Sequence, residues 1–371
     1  MKNNRTFLEK LLDGSEVEWK PLDEVANIAN NARKPVKSSL RISGNIPYYG
    51  ANNIQDYVEG YTHDGEFVLI AEDGSASLEN YSIQWAVGKF WANNHVHVVN
   101  GKEKLNNRFL YHYLTNMNFI PFLAGKERAK LTKAKLQQIP IPIPPLSVQT
   151  EIVRILDALT ALTSELTSEL ILRRKQYEYY RETLLSSDNL EQLNTGGVKK
   201  KLSDVAIIGT GSRNTNEAIE NGIYPFFVRS QEPKKINEYE FDETAIITAG
   251  DGVGVGKVFH YISGKYALHQ RAYRIVVTDK NLLPKFLFHY IRNNFAHYLK
   301  MTSVNSSVTS LRKPMFEKYP VFIPPLEEQQ RIVSILDKFE TLSNSITEGL
   351  PLAIEQSQKR YEYYRELLLS F

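Results

Sequence analysis

The sequence contains one long pattern twice, about 180 residues apart, and this internal repeat limits how the chain can fold. The two copies share four segments in the same order: Ile-Pro-Pro-Leu at 143–146 and 323–326, a glutamine at 149 and 329, Ile-Val-x-Ile-Leu-Asp at 152–157 and 332–337, and Tyr-Glu-Tyr-Tyr-Arg-Glu at 177–182 and 361–366. A module repeated within one polypeptide gives the molecule an approximate two-fold axis without a dimer. Such an axis suits a partner that is itself nearly two-fold symmetric, as duplex DNA is.

Each copy of the repeat predicts a long helix. The stretch from Leu146 to Ser187 has neither glycine nor proline, and its apolar side chains recur at steps of three, four and seven, along one helix face. About 40 residues would span on the order of 60 Å. A stripe so long and narrow needs a partner helix, and the second copy has a matching stripe at an offset of 180 as far as Ile346 and of 184 beyond it. The four extra residues include the segment 349–351, Gly-Leu-Pro, where we expect a kink or a break.

The segments that precede the two helices predict two similar α/β globules. Both are rich in β-branched and aromatic runs separated by Gly, Asn and Asp, as strands and turns are. We therefore expect an α+β (mixed) fold with a first globule at 1–145, a central long helix at 146–190, a second globule at 191–325 and a C-terminal long helix at 326–371. The segment 7–14 predicts a short N-terminal helix that packs beside the end of the C-terminal helix, which would make this pseudo-two-fold fold quasi-circular.

Composition and motifs exclude several classes of enzyme. The chain has no cysteine, which excludes disulfides, thiolate zinc sites and cysteine nucleophiles. The glycine-rich run 250–257 lacks residues that a phosphate-binding loop needs, and a strand–turn–strand explains it better. His95 and His97 would share one face of a strand, but no third metal ligand is evident, so we expect a core or surface role for them. We therefore expect no catalytic residue, no metal and no cofactor on this chain.

Charge and hydropathy leave the partner open but favour a cytoplasmic protein. The formal net charge of +3 neither demands nor excludes a polyanionic partner. No apolar run approaches the roughly 20 residues of a membrane span, and no apolar signal core follows the N-terminus.

Three pairs of segments carry residue types that contact nucleic acids. The lysine-rich stretch 125–135 and its hydroxyl-rich counterpart 301–313 have groups that bind phosphates. The segments 48–53 and 226–231, and the segments 93–95 and 269–271, carry Asn, Gln and Arg, which can pair with base edges in the major groove. The candidate DNA contacts are Tyr48, Tyr49, Asn52, Asn53, Asn94, His95, Lys130, Lys133, Arg229, Gln231, His269, Gln270, Arg271, Asn305, Ser306 and Arg312.

Simpler roles remain open for these residues. A solvated helix face explains the lysine-rich stretch equally well, and a turn-forming role explains any individual asparagine. The residue types that read bases differ between the copies while the apolar framework positions match, as we expect of two modules that read different sequences.

The two variable globules, the Ile-Pro-Pro-Leu and Gln before each helix, and the repeated Tyr-Glu-Tyr-Tyr-Arg-Glu resemble the specificity subunits of type I restriction–modification enzymes. The resemblance covers essentially the whole chain and is strongest over 141–187 and 321–371, with the Tyr-Tyr-Gly-Ala-Asn segment at 48–52 in support. The Gly-Leu-Pro interruption and the compactness of the chain depart from the family pattern.

The resemblance implies a sequence-specific DNA-binding subunit that has no catalytic activity of its own. Each globule would be a target recognition domain for one half of a split, asymmetric sequence, and the helices would form an antiparallel coiled coil that sets the gap. Two methyltransferase subunits would dock on the helices and globules and methylate adenine with S-adenosylmethionine, and an ATP-dependent motor–nuclease subunit could join them. The expected partner contacts on the repeated motif are Tyr177, Tyr180, Arg181, Tyr361, Tyr364 and Arg365.

Two other functions remain open at this point. A coiled-coil scaffold whose globules bind protein would show no salt-dependent DNA binding, whereas a DNA reader loses affinity steeply with salt. An enzyme with an unrecognised site would turn over substrate as the purified chain alone.

Overall fold

The structure, a computed structural model, describes residues 7–125, 129–192, 196–302, 310–345 and 347–371. The chain divides into two compact units. The first unit consists of Met1–Leu166 together with Ala353–Phe371, and the second unit is Thr167–Leu352. Within the described ranges, no helix combines the length and the apolar character that crossing a bilayer requires.

The strands fall into two series, one in each unit. The first series is β1 (Glu18–Pro21), β2 (Ala26–Ile28), β3 (Ser43–Tyr49), β4 (Ile54–Val58), β5 (His63–Ala71), β6 (Ile83–Ala92), β7 (Val96–Gly101) and β8 (Pro140–Ile143). The second series is β9 (Val198–Lys201), β10 (Ala206–Thr210), β11 (Tyr224–Phe227), β12 (Lys234–Ile236), β13 (Phe241–Ala249), β14 (Phe259–Leu268), β15 (Ala272–Val277) and β16 (Pro320–Ile323).

The helices include short and long elements. They are α1 (Phe7–Leu12), α2 (Leu22–Val25), α3 (Asn107–Asn116), α4 (Lys133–Gln137), α5 (Leu146–Leu185), α6 (Ser187–Gln192), α7 (Leu202–Val205), α8 (Pro284–Thr302), α9 (Lys313–Glu317), α10 (Leu326–Asn344) and α11 (Leu350–Leu369).

The main sheets of the two units have the same topology. The strand order is β2-β7-β5-β6-β3-β4 in the first unit and β10-β15-β13-β14-β11-β12 in the second. Replacing each strand by its counterpart in the repeat converts one order into the other. Neighbouring strands are antiparallel except for β3 with β6 and β11 with β14, which are parallel. The two similar mixed α/β globules predicted from the sequence are confirmed.

The central strands of both sheets are buried on both faces. In β5, Val68 and Ile70 belong to the core beneath α3, while Leu69 belongs to a separate apolar cluster. In β13, Ile246 and Ile247 are divided between two clusters in the same way. This double burial explains why both strands appear in the sequence as continuous apolar runs and not as alternating patterns.

The proline-rich segments are short strands that lead directly into the long helices. β8 pairs with β1, and β16 pairs with β9. The helix α5 begins at Leu146, three residues after β8 ends, and continues for 40 residues. In the glycine-rich run, β13 and β14 are separated by a turn at Gly252–Gly254, which confirms the predicted strand–turn–strand.

The C-terminal helical region is broken where the sequence predicted a kink or a break. The helix α10 ends at Asn344, α11 begins at Leu350, and Gly349 between them has a φ of +85°, in the left-handed region that favours glycine. A Cβ atom at this position would lie 2.7 Å from the carbonyl oxygen of Thr341. Ile346, the last residue of the predicted common register, lies outside the described residues.

Each unit incorporates a piece of α5 and a piece of the C-terminal helices in its core. In the first unit, Ile152 and Leu156 of α5 share a core with Leu368 and Leu369 of α11. Also in this unit, the ring of Phe7 lies edge-on to that of Tyr364, with centroids 6.4 Å apart. The predicted packing of the N-terminal helix beside the C-terminal helix is therefore confirmed.

The helix pairing in the second unit is antiparallel. The ring of Tyr180 in α5 stacks on that of Phe339 in α10, with centroids 5.4 Å apart, and Arg174 donates to the carbonyl oxygen of Ser343. As the residue numbers fall from Tyr180 to Arg174 along α5, those of their partners in α10 rise from Phe339 to Ser343. In the first unit, the hydroxyl oxygens of Thr163 in α5 and Ser357 in α11 are 2.8 Å apart.

The repeated glutamines close the junction between globule and helix. Gln149 is fully buried. Its Oε1 accepts a hydrogen bond from the backbone N–H of Asn106 (2.9 Å), and its Nε2 donates to the carbonyl oxygens of Lys104 (2.9 Å) and Pro144 (2.8 Å). Every hydrogen-bonding direction of the amide except one is thereby used inside the protein.

Gln329 makes the same three hydrogen bonds in the second unit. It is also fully buried. It accepts from the backbone N–H of Leu283 (2.8 Å) and donates to the carbonyl oxygens of Asn281 (2.8 Å) and Pro324 (2.7 Å). The repetition of this glutamine therefore has a structural cause.

We expect Gln149→Ala and Gln329→Ala each to lower the free energy of unfolding by about 1–3 kcal/mol, because each leaves buried backbone groups without a partner. Urea unfolding of the purified chain measures this. The control is Gln330→Ala, since Gln330 is exposed on α10 and its loss should change stability by less than about 0.5 kcal/mol. Equal stability of the buried and exposed variants would contradict the structural role.

Candidate nucleic-acid interface

Each unit brings loops from different parts of its sequence together. The first loop cluster comprises residues 50–53, 72–76, 93–95 and 129–132 of the first unit. The second loop cluster comprises residues 228–231, 250–254, 269–271 and 310–312 of the second unit. Most of the candidate DNA contacts lie in these two clusters. The first cluster surrounds a cleft of about 670 Å³ whose lining includes Asn52, Asp73, His95 and Lys130.

Backbone hydrogen bonds hold the first loop cluster together. The N–H of Asn93 donates to the carbonyl oxygen of Tyr49 (3.2 Å), and the N–H of Glu72 donates to the carbonyl oxygen of His95 (2.8 Å). The N–H of Leu131 donates to the carbonyl oxygen of Glu72 (2.7 Å). The loops after β3, β5 and β6 and the segment before α4 are thus joined.

The second loop cluster has the same backbone framework. The backbone N–H of His269 donates to the carbonyl oxygen of Phe227 (2.9 Å), and that of Gly250 donates to the carbonyl oxygen of Arg271 (2.8 Å). The N–H of Leu311 donates to the carbonyl oxygen of Gly250 (2.7 Å). The isolated antiparallel β-bridge between the backbones of Asp73 and Lys130 in the first cluster also has a counterpart, between Asp251 and Ser310 in the second. The two clusters therefore differ in side chains on a common backbone.

An aspartate occupies the same place in both clusters but pairs with different side chains. In the first cluster, a carboxylate oxygen of Asp73 lies 2.5 Å from Nδ1 of His95. In the second, Asp251 accepts from Arg229 (2.8 Å) and Arg271 (3.2 Å). Burial alone would raise the pKa of Asp251, but Arg229 and Arg271 together outweigh it and hold the pKa below its usual value. The carboxylate therefore stays ionised at neutral pH.

Glu72 offsets part of the positive charge in the first cluster. It accepts from Arg33 (2.7 Å) and from Lys130 (2.9 Å). Burial would raise the pKa of Glu72, but these two cations outweigh that effect and lower it. Arg33 also donates to the carbonyl oxygens of Asn94 and Val96. Lys130 remains partly exposed, so its ammonium group can still reach a ligand.

Two exposed asparagines of the first cluster, Asn52 and Asn53, also shape its turns. Asn52 donates to the carbonyl oxygen of Gly74 (2.8 Å) and accepts from the N–H of Ala76 (2.7 Å). Asn53 accepts from the N–H of Ile54 (2.8 Å). The turn-forming role left open by the sequence therefore applies to both residues, whatever else they contact.

The structure places three of the candidate contacts in the interior. Tyr48 is 1% exposed and Tyr49 is 9% exposed, and the hydroxyl of Tyr48 accepts from the N–H of Val36 (3.0 Å). His269 is also buried, and its Nδ1 accepts from the N–H of Arg271 (3.0 Å). In this conformation these side chains support the loops and offer almost no surface to a duplex.

The remaining candidate contacts are mostly at the surface. Gln270 is exposed and donates to the side-chain oxygen of Asn214 (2.6 Å). The other exposed candidates are Asn94, Lys133, Gln231 and Arg312. Asn305 and Ser306 lie outside the described residues. Whether any of these residues contacts DNA stays a prediction.

The repeated tyrosine motif is used largely inside the two units. Tyr177 is buried in the core of the second unit, and Tyr180 stacks on Phe339. Arg181 donates to Asn293 (3.1 Å). Tyr361, Tyr364 and Arg365 are partly buried in the first unit. The exposed tyrosines of the motif are Tyr179 and Tyr363, which were not among the predicted partner contacts. That this motif contacts partner subunits stays a prediction.

Both units contain a buried histidine paired with a partly exposed aspartate, and the sequence had not led us to expect this pair. Nε2 of His112 lies 2.7 Å from Asp157, and Nε2 of His289 lies 2.7 Å from Asp337. Each pair ties a helix of the globule to a long helix. The sequence does contain an indication of this pair, because both histidines occupy the fourth position of the matching segments 109–114 and 286–291.

The second of these pairs has the composition of a metal site but is an ion-pair network. Ligand atoms of His289, Asp337 and Glu340 lie within 4.8 Å of one another. Lys285 lies 3.6 Å from Asp337, and Arg292 lies 2.6 Å from Glu340. These cations already balance both carboxylates, so nothing in the group calls for a metal ion.

His97 predicts an acid sensitivity of the first unit. This fully buried ring donates from Nε2 to the carbonyl oxygen of Leu131 (2.7 Å), so its Nδ1 accepts from Asn30 (2.9 Å) and the ring is neutral. Burial lowers the pKa of His97. Its contribution to stability is therefore complete above the unfolded-state pKa of about 6.5 and is lost as the pH falls below that value towards the folded-state pKa.

We expect the free energy of unfolding to fall between pH 7.5 and 5.5, with His97 contributing up to about 1.4 kcal/mol per pH unit. Urea unfolding across this range measures the slope. His97→Gln should flatten it, whereas His297→Gln should not, since His297 is exposed on α8. An unchanged slope in His97→Gln would show that other groups cause the acid sensitivity.

Comparison with known proteins gives a consistent result across the chain. The family model described as type I restriction modification DNA specificity domain matches twice, over residues 14–173 and 195–356. A putative type I restriction enzyme specificity subunit of Haemophilus influenzae is 64% identical over the full length of both chains. The specificity subunit of the type I restriction enzyme EcoR124I/EcoR124II of Escherichia coli is 33% identical over 99% of this chain and 97% of that protein.

Solved structures agree in fold. The S subunit of a type I restriction-modification system from M. genitalium matches with a TM-score of 0.61 at 15% identity, over 100% of this chain and 96% of that chain. A chain from a study of complex assembly and conformational transition of the type I R-M system matches with a TM-score of 0.53 at 16% identity, over 95% of this chain and 98% of that chain. At these identities the likeness concerns the fold alone.

Proposed function

The chain belongs to the family of type I restriction–modification DNA specificity subunits, and from this premise we propose that each loop cluster reads one half of a split, asymmetric DNA target. The observation that carries the proposal is the common backbone framework of the two clusters with different side chains on it. Asp73 holds His95, whereas the equivalent Asp251 holds two arginines. Two readers with one framework and different side chains suit two half-sites of different sequence.

The proposal extends to the rest of the enzyme complex. Two methyltransferase subunits would bind the long helices and globules and methylate adenine, with S-adenosylmethionine and, where a motor–nuclease subunit joins, ATP bound by those partners. This chain would contribute recognition and no catalysis, and it would act in the cytoplasm. The family membership and the similarity to specificity subunits of type I restriction enzymes support this arrangement.

Sequencing of methylated adenines tests the proposal directly. The chain is co-expressed with a type I modification subunit from the same organism, and the host genome is sequenced for N6-methyladenine. We expect a split motif with a fixed gap that is absent when this chain is omitted. A stable purified complex that adds no methylation would favour the protein-binding scaffold over the DNA reader.

Lys130 tests whether the first loop cluster lies against the phosphate backbone. We expect Lys130→Ala to weaken binding to target and unrelated duplexes by the same factor and to reduce the slope of log K against log salt concentration by about 1. Titration of the assembled methyltransferase complex at several salt concentrations measures both. Lys338→Ala, an exposed lysine on α10, is the control and should leave the slope unchanged. A loss confined to one target sequence would instead make Lys130 a base contact.

A further inference from the structure

The second loop cluster presents two arginines on one carboxylate. The oxygens of Asp251 each accept from a different guanidinium, one from Nη1 of Arg229 and one from Nη1 of Arg271. The side chains of Arg229 and Arg271 are 42% and 62% exposed, whereas that of Asp251 is 22% exposed. The carboxylate is therefore the supporting group, and the two guanidinium groups extend from it towards solvent.

Most of each guanidinium remains available to a ligand. Among the described residues, the side chains of Arg229 and Arg271 have hydrogen bonds only to Asp251, each through its Nη1. The Nη2 and Nε groups of both arginines are left as parallel donors. A guanidinium that is held on one side and open on the other can donate two hydrogen bonds to O6 and N7 of guanine in the major groove.

The glycine-rich run explains how Asp251 comes to lie between the two arginines. A Cβ atom at Gly250 would lie 2.6 Å from the carbonyl oxygen of Arg271, and one at Gly254 would lie 2.7 Å from that of Arg229. Gly252 has a φ of +77°, which other residues rarely adopt. Glycines on both sides of Asp251 thus allow its loop to approach both arginine-bearing loops closely.

The first unit has no equivalent arrangement in its described residues. The corresponding Asp73 pairs with His95. The nearby Arg33 donates from Nη1 to Glu72 and to two carbonyl oxygens, and its side chain is only 17% exposed. The exposed groups of the first cluster are amides, an imidazole and an amine. Within the part of the chain that the structure describes, the two-arginine arrangement therefore occurs in the second unit only.

We infer that Asp251, Arg229 and Arg271 form a guanine-reading site, and that the half-site bound by the second unit contains a G·C pair contacted through guanine O6 and N7. This inference deepens the proposed function and rests on it. Arg271 and Arg229 are the reading residues, and Asp251 is a positioning residue that fixes their orientation before DNA binds. A preorganised pair of donors discriminates because a wrong base leaves them unpaired.

The first experiment uses the wild-type complex. Once methylation sequencing has supplied the motif, the assembled methyltransferase complex is titrated with duplexes in which each guanine of the motif is replaced in turn by 7-deazaguanine, which lacks the N7 acceptor. We expect at least one position in one half-site where affinity falls roughly 5- to 150-fold. A split motif without a G·C pair, or one insensitive to every replacement, would overturn the guanine site while leaving the split-target function intact.

Two variants assign the effect to the arginines and the aspartate. Arg271→Lys keeps the charge and loses the bidentate fork, so it should retain binding to unrelated DNA and lose the preference at the guanine. Asp251→Asn should also lose that preference, yet strengthen binding to unrelated DNA because a negative charge near phosphates is removed. A variant that had merely unfolded the loop would not bind unrelated DNA more tightly.

Matched controls separate this site from the rest of the molecule. Asp73→Asn changes the equivalent carboxylate of the first unit and should leave discrimination at that guanine unchanged. Arg360→Lys changes an exposed arginine of α11 and should have no effect on either half-site. Unaltered guanine preference in both Arg271→Lys and Asp251→Asn would overturn the inference. Absence of any split motif in the wild type would instead count against the proposed function itself.

Discussion

Removal of one Thr-Ser-Glu-Leu unit from α5 is expected to shorten the gap between the half-sites and to leave both half-site sequences unchanged. The helix contains this unit twice in succession, at 163–166 and 167–170. Four residues are about one turn, or about 6 Å of helix. Since base pairs are stacked about 3.4 Å apart, the gap should change by one or two base pairs. Duplicating the unit should lengthen the gap by the same amount.

The expected effect is large because DNA is helical. A change of one base pair in the gap also rotates one half-site by about 34° relative to the other, given 10–10.5 base pairs per turn. Both readers cannot then contact the original target at once, and methylation should move to sites with the new gap. Sequencing of methylated adenines in cells that express each variant shows this shift.

The control for the helix-length prediction keeps the length and changes the composition. Replacing 167–170 by four other strong helix formers should leave the gap unaltered. A deletion that changes a half-site sequence, or one that leaves the gap as it was, would refute the idea that α5 sets the spacing.

The repeat made the fold predictable to an unusual extent. The patterns of the framework occurred twice, so a chance match in one copy could be checked in the other. The long helix from Leu146, the break near Gly349 and the strand–turn–strand after β13 were all predicted and are all present. The strand order of the sheets was not predictable, because pairing between distant strands depends on packing that local sequence patterns do not encode.

The burial of two candidate contacts was not predicted, for a reason that the sheet makes clear. Tyr48 and Tyr49 point to opposite faces of β3, and in a half-solvated sheet one of them would be exposed. Both faces are covered here, so both rings are buried. Polar aromatic residues next to asparagines suggested a recognition loop, whereas they are the end of a core strand.

The aspartates at the centre of the two clusters were missed because they lie far from the residues they hold. Asp251 is 20 residues from Arg271 and 22 from Arg229 in sequence. Only the strand order brings the three together. The sequence showed Asp73 and Asp251 in matching positions but gave no indication of their partners.

The repeated tyrosine motif gained a different explanation from the structure. Its buried members complete a core, with the end of α5 packed into the second unit and the end of α11 packed into the first. A motif that is repeated because it binds a repeated partner and a motif that is repeated because it completes two similar cores look the same in the sequence. Of the six tyrosines in the two copies of the motif, only Tyr179 and Tyr363 are largely exposed.

The last four residues should therefore be essential for the first unit. Leu368 and Leu369 are buried in its core, and the ring of Phe371 lies edge-on to that of Phe109, with centroids 6.0 Å apart. We expect deletion of 368–371 to destabilise the first unit by about 5 kcal/mol or more, since each buried leucine alone contributes about 2–5 kcal/mol. Hydrogen exchange with mass spectrometry, which resolves the two units, should show lost protection in β5 and α3 but not in β13 and α8.

Point variants at equivalent positions make this prediction reciprocal. Leu369→Ala should weaken the first unit by about 2–5 kcal/mol, whereas Leu185→Ala, the fully buried equivalent at the end of α5, should weaken the second unit by a similar amount. Tyr363→Ala removes an exposed ring from α11 and should leave both units unchanged within about 0.5 kcal/mol. Loss of protection in the second unit on Leu369→Ala, or in the first on Leu185→Ala, would show that the helix ends do not complete the cores that the structure assigns to them.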